Sequence, residues 1–135
     1  MEQLELGNNL NSGDIFDDRF YHEVTVNGSK QQINQQLLAT LSQYSRDNQS
    51  AWLTCISPEK IQRQLLQNAR VPKGSVLQLI SNEKNEILEL AIKALKSGQS
   101  YGIVVMIKRL DAQHRETIRN AAHSEGVYCT VITSY

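Results

Sequence analysis

With 135 residues and 14 Lys and Arg set against 14 Asp and Glu, the chain carries no formal net charge and has the size of one domain. Such a length can bury about two thirds of its unfolded surface without staples. Two cysteines exclude a disulfide framework, no stretch approaches the ~20 apolar residues of a membrane span, and no Lys/Arg run or aromatic platform marks a nucleic-acid binder.

The charge is unevenly spread. Residues 1–23 hold six acids and one base, leaving thirteen bases and eight acids in a mildly basic remainder. Residues 1–18, with Gly7-Asn8-Asn9-Leu10-Asn11-Ser12-Gly13 at their centre, combine turn formers with little apolar periodicity and are expected to be a flexible N-terminal segment ahead of a single α/β domain over 19–135. The opening Met1-Glu2-Gln3-Leu4-Glu5 lacks the basic stretch of a signal peptide, which points to a cytoplasmic chain.

Residues 20–26 alternate as a short strand, closed by Asn27-Gly28-Ser29. A helix is predicted over 30–45, with Ile33, Leu37, Leu41 and Tyr44 on its apolar face. The strand 51–56 runs into Ser57-Pro58-Glu59, which reads as an N-cap, a proline at the first helical position and an acid near the positive end of the dipole. That predicts a helix over 58–70 with Ile61, Leu65 and Ala69 as its stripe and Leu66 beside it, stopped by Val71-Pro72. A strand over 75–80 leads to a helix capped by Ser81 or Asn82 and stopped at Gly98. The strand 101–107 is apolar on both faces and therefore central. Asp111 caps the last helix, Gly126 ends it, and 127–132 forms the final strand. Strands alternating with helices predict a three-layer, mostly parallel α/β sheet.

Ligands of such sheets gather at the carboxyl ends of the strands, and there the expected chemistry is sparse. Asn27-Gly28-Ser29-Lys30 is no phosphate loop: Glu23 stands where the leading glycine should be, and Ser29 separates glycine from lysine. Ser81, Glu83, Lys108 and Asp111 could serve an enzyme or nucleotide sensor, but capping and solvation explain them more simply. His22, His114 and His123 share no metal-ligand spacing with one another or with the cysteines. Cys55 and Cys129 lie in apolar strand runs and read as small buried hydrophobes. No catalytic set, cofactor or metal is expected. What remains is a protein surface, for which the turn Arg70-Val71-Pro72-Lys73, basic at both ends around an apolar valine, is a natural contact tip.

The order Trp52-Leu53-Thr54, the helix-forming stretch into Val71-Pro72, Val76-Leu77-Gln78-Leu79, Ala94-Leu95-Lys96-Ser97-Gly98, the apolar run 103–107 and the helical run 111–122 together resemble the SulA family, the SOS-induced inhibitors of bacterial cell division. The resemblance spans about 51–132 and implies a RecA-like fold without a phosphate-binding loop. It also implies binding to FtsZ, the tubulin-like GTPase, on the face that meets the next subunit, with polymerisation and its GTP hydrolysis blocked without chemistry by the inhibitor. By position, the family's inhibitory determinants fall on Leu53, Leu65, Arg70, Val71 and Lys73. The family often has tryptophan at the position of Leu65 and a small residue at that of Arg70. A symmetric homodimer and recognition by Lon protease are implied as well, although the sequence stops at Tyr135 without the longer tail that carries protease recognition in some members. The alternative is a degenerate RecA-like nucleotide-binding or DNA-repair accessory protein.

Overall fold

The computed structural model describes residues 14–134 except Gln49 and Ala51. Among the described residues, six strands and four helices follow in the order β1 (Asp14–Asp17), β2 (Tyr21–Val26), α1 (Lys30–Asp47), β3 (Leu53–Ser57), α2 (Arg63–Asn68), β4 (Val76–Ile80), α3 (Lys84–Ser97), β5 (Gly102–Met106), α4 (Ala112–Glu125) and β6 (Tyr128–Ser134). The strands form one sheet in the spatial order β1-β2-β6-β5-β3-β4. The five strands from β2 to β4 are mutually parallel; β1 pairs antiparallel with β2 and carries a register shift between Asp14 and Phe16. Part of the segment expected to be flexible is thus the edge strand β1, while residues 1–13 lie outside the described residues.

Alternation along the strands divides the core in two. Ile103 and Val105 of β5 point into a cluster with Ile87, Leu88, Ala91 and Leu95 of α3 and Ile118 and Ala122 of α4. Val104 points the other way, with Leu37, Leu41 and Tyr44 of α1 and the half-buried Leu65 and Leu66 of α2. The result is three layers, α1 and α2 on one face and α3 and α4 on the other, with β5 covered on both sides as its doubly apolar pattern requires. Gly102 opens β5 because a Cβ there would stand 2.8 Å from the Tyr44 ring. That ring is fixed by a 2.7 Å hydrogen bond between its hydroxyl and Thr130.

The punctuation of α1, α3 and α4 follows local chemistry. Ser29 Oγ accepts from Gln32 N–H, and Asp111 from His114 N–H, at the starts of α1 and α4. Gly98 and Gly126 end α3 and α4 in the left-handed region. The cap of α3 is Glu83, which accepts from Asn85 and Glu86 N–H; Ser81 instead accepts from Glu83 N–H.

The helix expected from Pro58 does not form there. Ser57 stays in β3, opposite Ile80, and its hydroxyl donates to Glu59 C=O at 2.8 Å instead of accepting from a helical N–H. Ile61 N–H is taken by the Gln78 side chain of β4 at 2.9 Å, and the Ile61 side chain enters the α1/α2 core. This tertiary hydrogen bond and the burial of Ile61 outweigh the proline and capping signals, so α2 is only six residues, Arg63–Asn68.

Candidate functional site

Between α2, the turn after it and β4 lies an open groove of about 690 Å³. Its apolar lining comes from Ile61, Leu66, Val71 and Val76, and Lys60, Arg63 and Lys73 stand around it. No ion pair involves these three cations among the described residues, so the groove presents net positive charge around an apolar centre. Gln78 lines it too, but its carbonyl is already committed to Ile61.

The turn is built rigidly. Val71 N–H bonds to Leu66 C=O at 3.2 Å and Arg70 N–H to Gln67 C=O at 3.0 Å, so α2 ends in a left-handed cap with Leu66 and Val71 both in the neighbouring core cluster. The left-handed position is held by Arg70, with φ 61°, the one non-glycine residue of positive φ among the described residues. Ser45 Oγ of α1 donates to Arg70 C=O at 2.9 Å and pins the turn to the helix layer. Beyond it, Ser75 donates both its N–H and its hydroxyl to Pro72 C=O, closing the Pro72–Ser75 turn through Gly74, φ 82°.

Of the five residues singled out in the sequence, the structure brings Val71 and Lys73 to the groove. Arg70 is exposed but sits on the other flank of the turn, beside Ser42, Ser45 and Arg46 of α1. Leu65 is half-buried, packed inward on the α1/α2 core. Leu53 is 2% exposed. It is a core side chain, in the cluster with Leu37, Leu41 and Tyr44. Lys60, Arg63, Leu66 and Val76 complete the groove and were not singled out. The signal that could have found Val76 and the floor is Gln78, a lone polar residue inside the apolar run of β4.

A second surface lies on the strand itself. β4 is an edge strand whose run Ser75-Val76-Leu77-Gln78-Leu79-Ile80 carries no charge, proline or register shift. Leu77 (52% exposed) and Ile80 (49%) are on it, and Trp52 (58%) precedes its partner strand; these three are the large hydrophobic side chains most open to solvent among the described residues.

Of the remaining candidates, the Gly28 loop, Asp111 and the two cysteines are occupied structurally. Asn27 Oδ1 accepts from Ser29 N–H and Ser29 caps α1, so the Gly28 loop is an ordinary strand-to-helix turn. Asp111 caps α4 and pairs with Lys84 at 3.5 Å and His114 at 2.8 Å; the His114 N–H and side chain hold its carboxyl below the usual range. Burial pushes the Cys55 and Cys129 thiols up to about 12, which leaves them unreactive at neutral pH. Among the described residues no three His, Cys, Asp or Glu side chains gather as a metal site, and no helix is long and apolar enough to cross a membrane.

The fold thus defines a three-layer α/β protein with an apolar groove, ringed by cations, between α2 and β4. Residues 20–129 match the family described as cell division inhibitor SulA, and the chain belongs to that family. Among solved structures, that of SulA from Pseudomonas aeruginosa is similar, at 22% identity with a TM-score of 0.72, covering 85% of this chain and 98% of that one. No curated protein gave a match to the sequence.

Proposed function

We propose that this chain is an SOS-induced division inhibitor that binds FtsZ through the α2–β4 groove, occupies the face the next FtsZ subunit would use, and so blocks polymerisation and GTP hydrolysis. The fold serves as an ATPase-like, RecA-like frame without a phosphate loop, reused as a blocking surface. The observation that carries this reading is the groove itself: an apolar centre from Leu66, Val71 and Val76 ringed by the cations Lys60, Arg63 and Lys73. Interfaces gain their energy from such buried apolar anchors, while rim charges steer and select the partner.

Occlusion is stoichiometric. Sedimentation of GTP-driven FtsZ polymer is expected to fall in proportion to added inhibitor and to reach its floor near equimolar amounts. Lys73→Glu and Arg63→Glu, both on exposed positions, should shift that titration to higher inhibitor while the thermal transition stays in place. Polymer that persists at several-fold excess of the native chain would end the reading.

A second, compatible contact is favoured by the edge of β4. Its backbone edge, unpaired among the described residues, and the exposed Leu77 and Ile80 suit antiparallel pairing with β4 of a second copy about a two-fold axis, which would join two sheets into one. The homodimer is tested by light scattering after gel filtration: Leu77→Lys should yield monomer, and a native chain that is monomeric at tens of micromolar, on the order of the weakest stable dimers, refutes it.

A further inference from the structure

At the carboxyl edge of the sheet, β3 and β5 are neighbours whose connections leave in opposite directions: α2 carries the chain outward to β4 on one face, and α4 carries it to β6 on the other. A crevice must open between connections that diverge in this way, and in parallel sheets it is the usual place for a ligand. Here it is a cleft of about 540 Å³ that reaches both faces of the sheet. Its floor is aliphatic. Met106, Ile107 and Ile132 come from the ends of β5 and β6, and Ile33 and Ile87 from the helices on either side. Lys108, Arg109 and Lys84 stand at its mouth, with Asn82 and Ser134 as neutral hydrogen-bonding groups.

The charges at this mouth are not balanced. Lys84 is shared with Asp111 at 3.5 Å, and Lys30 on the neighbouring α1 turn is paired with Glu59 at 3.0 Å. Glu83 and Asp111, the other acids of these loops, are engaged as helix caps. Lys108 and Arg109 form no ion pair among the described residues. An apolar floor of this volume suits a body of about one to three rings, and two such cations at the mouth suit a carboxylate or phosphate attached to it.

We infer that this cleft is a binding site for a small organic anion, one whose apolar body lies on Met106, Ile107 and Ile132 and whose phosphate or carboxylate meets Lys108 and Arg109. It shares no lining residue with the α2–β4 groove, so it is a separate site from the proposed partner surface. Neither catalysis nor a phosphate loop is required: the binding energy comes from the aliphatic floor and the direction from the two side-chain charges.

The test uses 1-naphthyl phosphate as probe, with inorganic phosphate and neutral 1-naphthol as its two halves, followed by backbone amide NMR of the full chain. The phosphate ester should shift the amides of Met106, Ile107, Lys108, Arg109 and Ser134 with saturation below about 1 mM, and each half should need at least about ten times more. Lys108→Glu combined with Arg109→Glu should weaken the ester about tenfold or more while leaving the naphthol response and the amide spectrum elsewhere intact. Absence of saturation by about 5 mM ester, equal shifts by ester and naphthol, or shifts centred on Trp52 and Leu77 would each overturn the inference.

Discussion

Glu23 is the most demanding side chain in the protein. It lies on the central part of β2 and is 1% exposed, yet it is a carboxylate. Three contacts make this tolerable: Arg115 of α4 donates from Nε at 2.7 Å and from Nη2 at 2.9 Å, one to each oxygen, and the Tyr21 hydroxyl donates at 2.7 Å. Arg115 is itself held by Leu110 C=O at 3.3 Å, and Glu23 drives its guanidinium further toward the charged form. Replacing Arg115 by leucine removes two charge-assisted hydrogen bonds and leaves the carboxylate buried against a single hydroxyl. Breaking a buried pair from one side costs about 3 to 5 kcal/mol. Against a total of roughly 5 to 15 kcal/mol for a domain of this kind, that is a large share. Urea unfolding followed by circular dichroism should therefore show a markedly lower midpoint for Arg115→Leu. Glu23→Gln with Arg115→Leu should recover a substantial part of the loss, since an amide is less costly to bury than a carboxylate. A single-mutant cost below about 1 kcal/mol would show that water or relaxation satisfies Glu23, and would refute the reasoning.

Gly102→Ala should destabilise by about 1 to 3 kcal/mol, because the Tyr44 ring that a Cβ would strike is tethered to Thr130 and packed against Tyr101; an unchanged melting temperature would mean that α1 can yield. For Asp18, burial raises the carboxyl pKa but is outweighed by the Tyr21 N–H, His123, Arg119 and the Phe20 N–H, which bring it from 3.8 to about 2. A depressed folded pKa gives stability that is present above 3.8 and lost as pH falls through 2. The native chain should therefore lose about 1 to 2 kcal/mol more than Asp18→Asn between about pH 5 and pH 2, and parallel stability curves for the two would contradict it. Arg70→Gly removes a side chain from a left-handed position; relief of strain and the added freedom of the unfolded chain nearly cancel, so stability should stay within about 1 kcal/mol of native. In the FtsZ sedimentation titration, any loss of inhibition by Arg70→Gly then reports contact by the guanidinium and not unfolding.

Strand and helix order was legible because it depends on local chemistry. Asp111, Gly98 and Gly126 act on N–H and C=O groups within a turn of themselves, and the double apolarity of 103–107 reflects cover on both faces of one strand. The α2 region was illegible for the opposite reason. Ser57-Pro58-Glu59 is a good helix start, but the residue that unmakes it, Gln78, lies on the next strand, well beyond the reach of local patterning. Leu53 and Leu65 show the same limit at the site. A leucine on a strand or helix can face the core or a partner, and it is the packing of α1 and α2 over β3 that buries Leu53 and half-buries Leu65. The partner of Glu23 was equally hidden, because Arg115 is distant in sequence and no periodicity joins them.

The short α2 changes what the surface can do. A helix begun at Pro58 would have carried Ile61, Leu65 and Ala69 as one stripe into the core and turned Lys60, Arg63 and Gln67 uniformly to solvent. With the chain extended through Ile61, Lys60 is brought to one side of the groove, Arg63 opens the helix above it, and Lys73 returns on the far side of the Val71 turn. Lys60 and Arg63, which a regular helix would spread along its exposed face, are gathered with Lys73 around Leu66, Val71 and Val76. The Gln78 to Ile61 bond is therefore a determinant of the surface although Gln78 needs no contact with a partner. Gln78→Leu removes the acceptor from a part-buried N–H, a loss of about 1 to 3 kcal/mol, and frees the segment 58–62 to leave the groove. If the groove is the gripping surface, inhibition of FtsZ should fall more steeply than the global stability lost, with Lys108 and Arg109 untouched; a loss of inhibition no greater than the unfolded fraction would assign Gln78 to the fold alone.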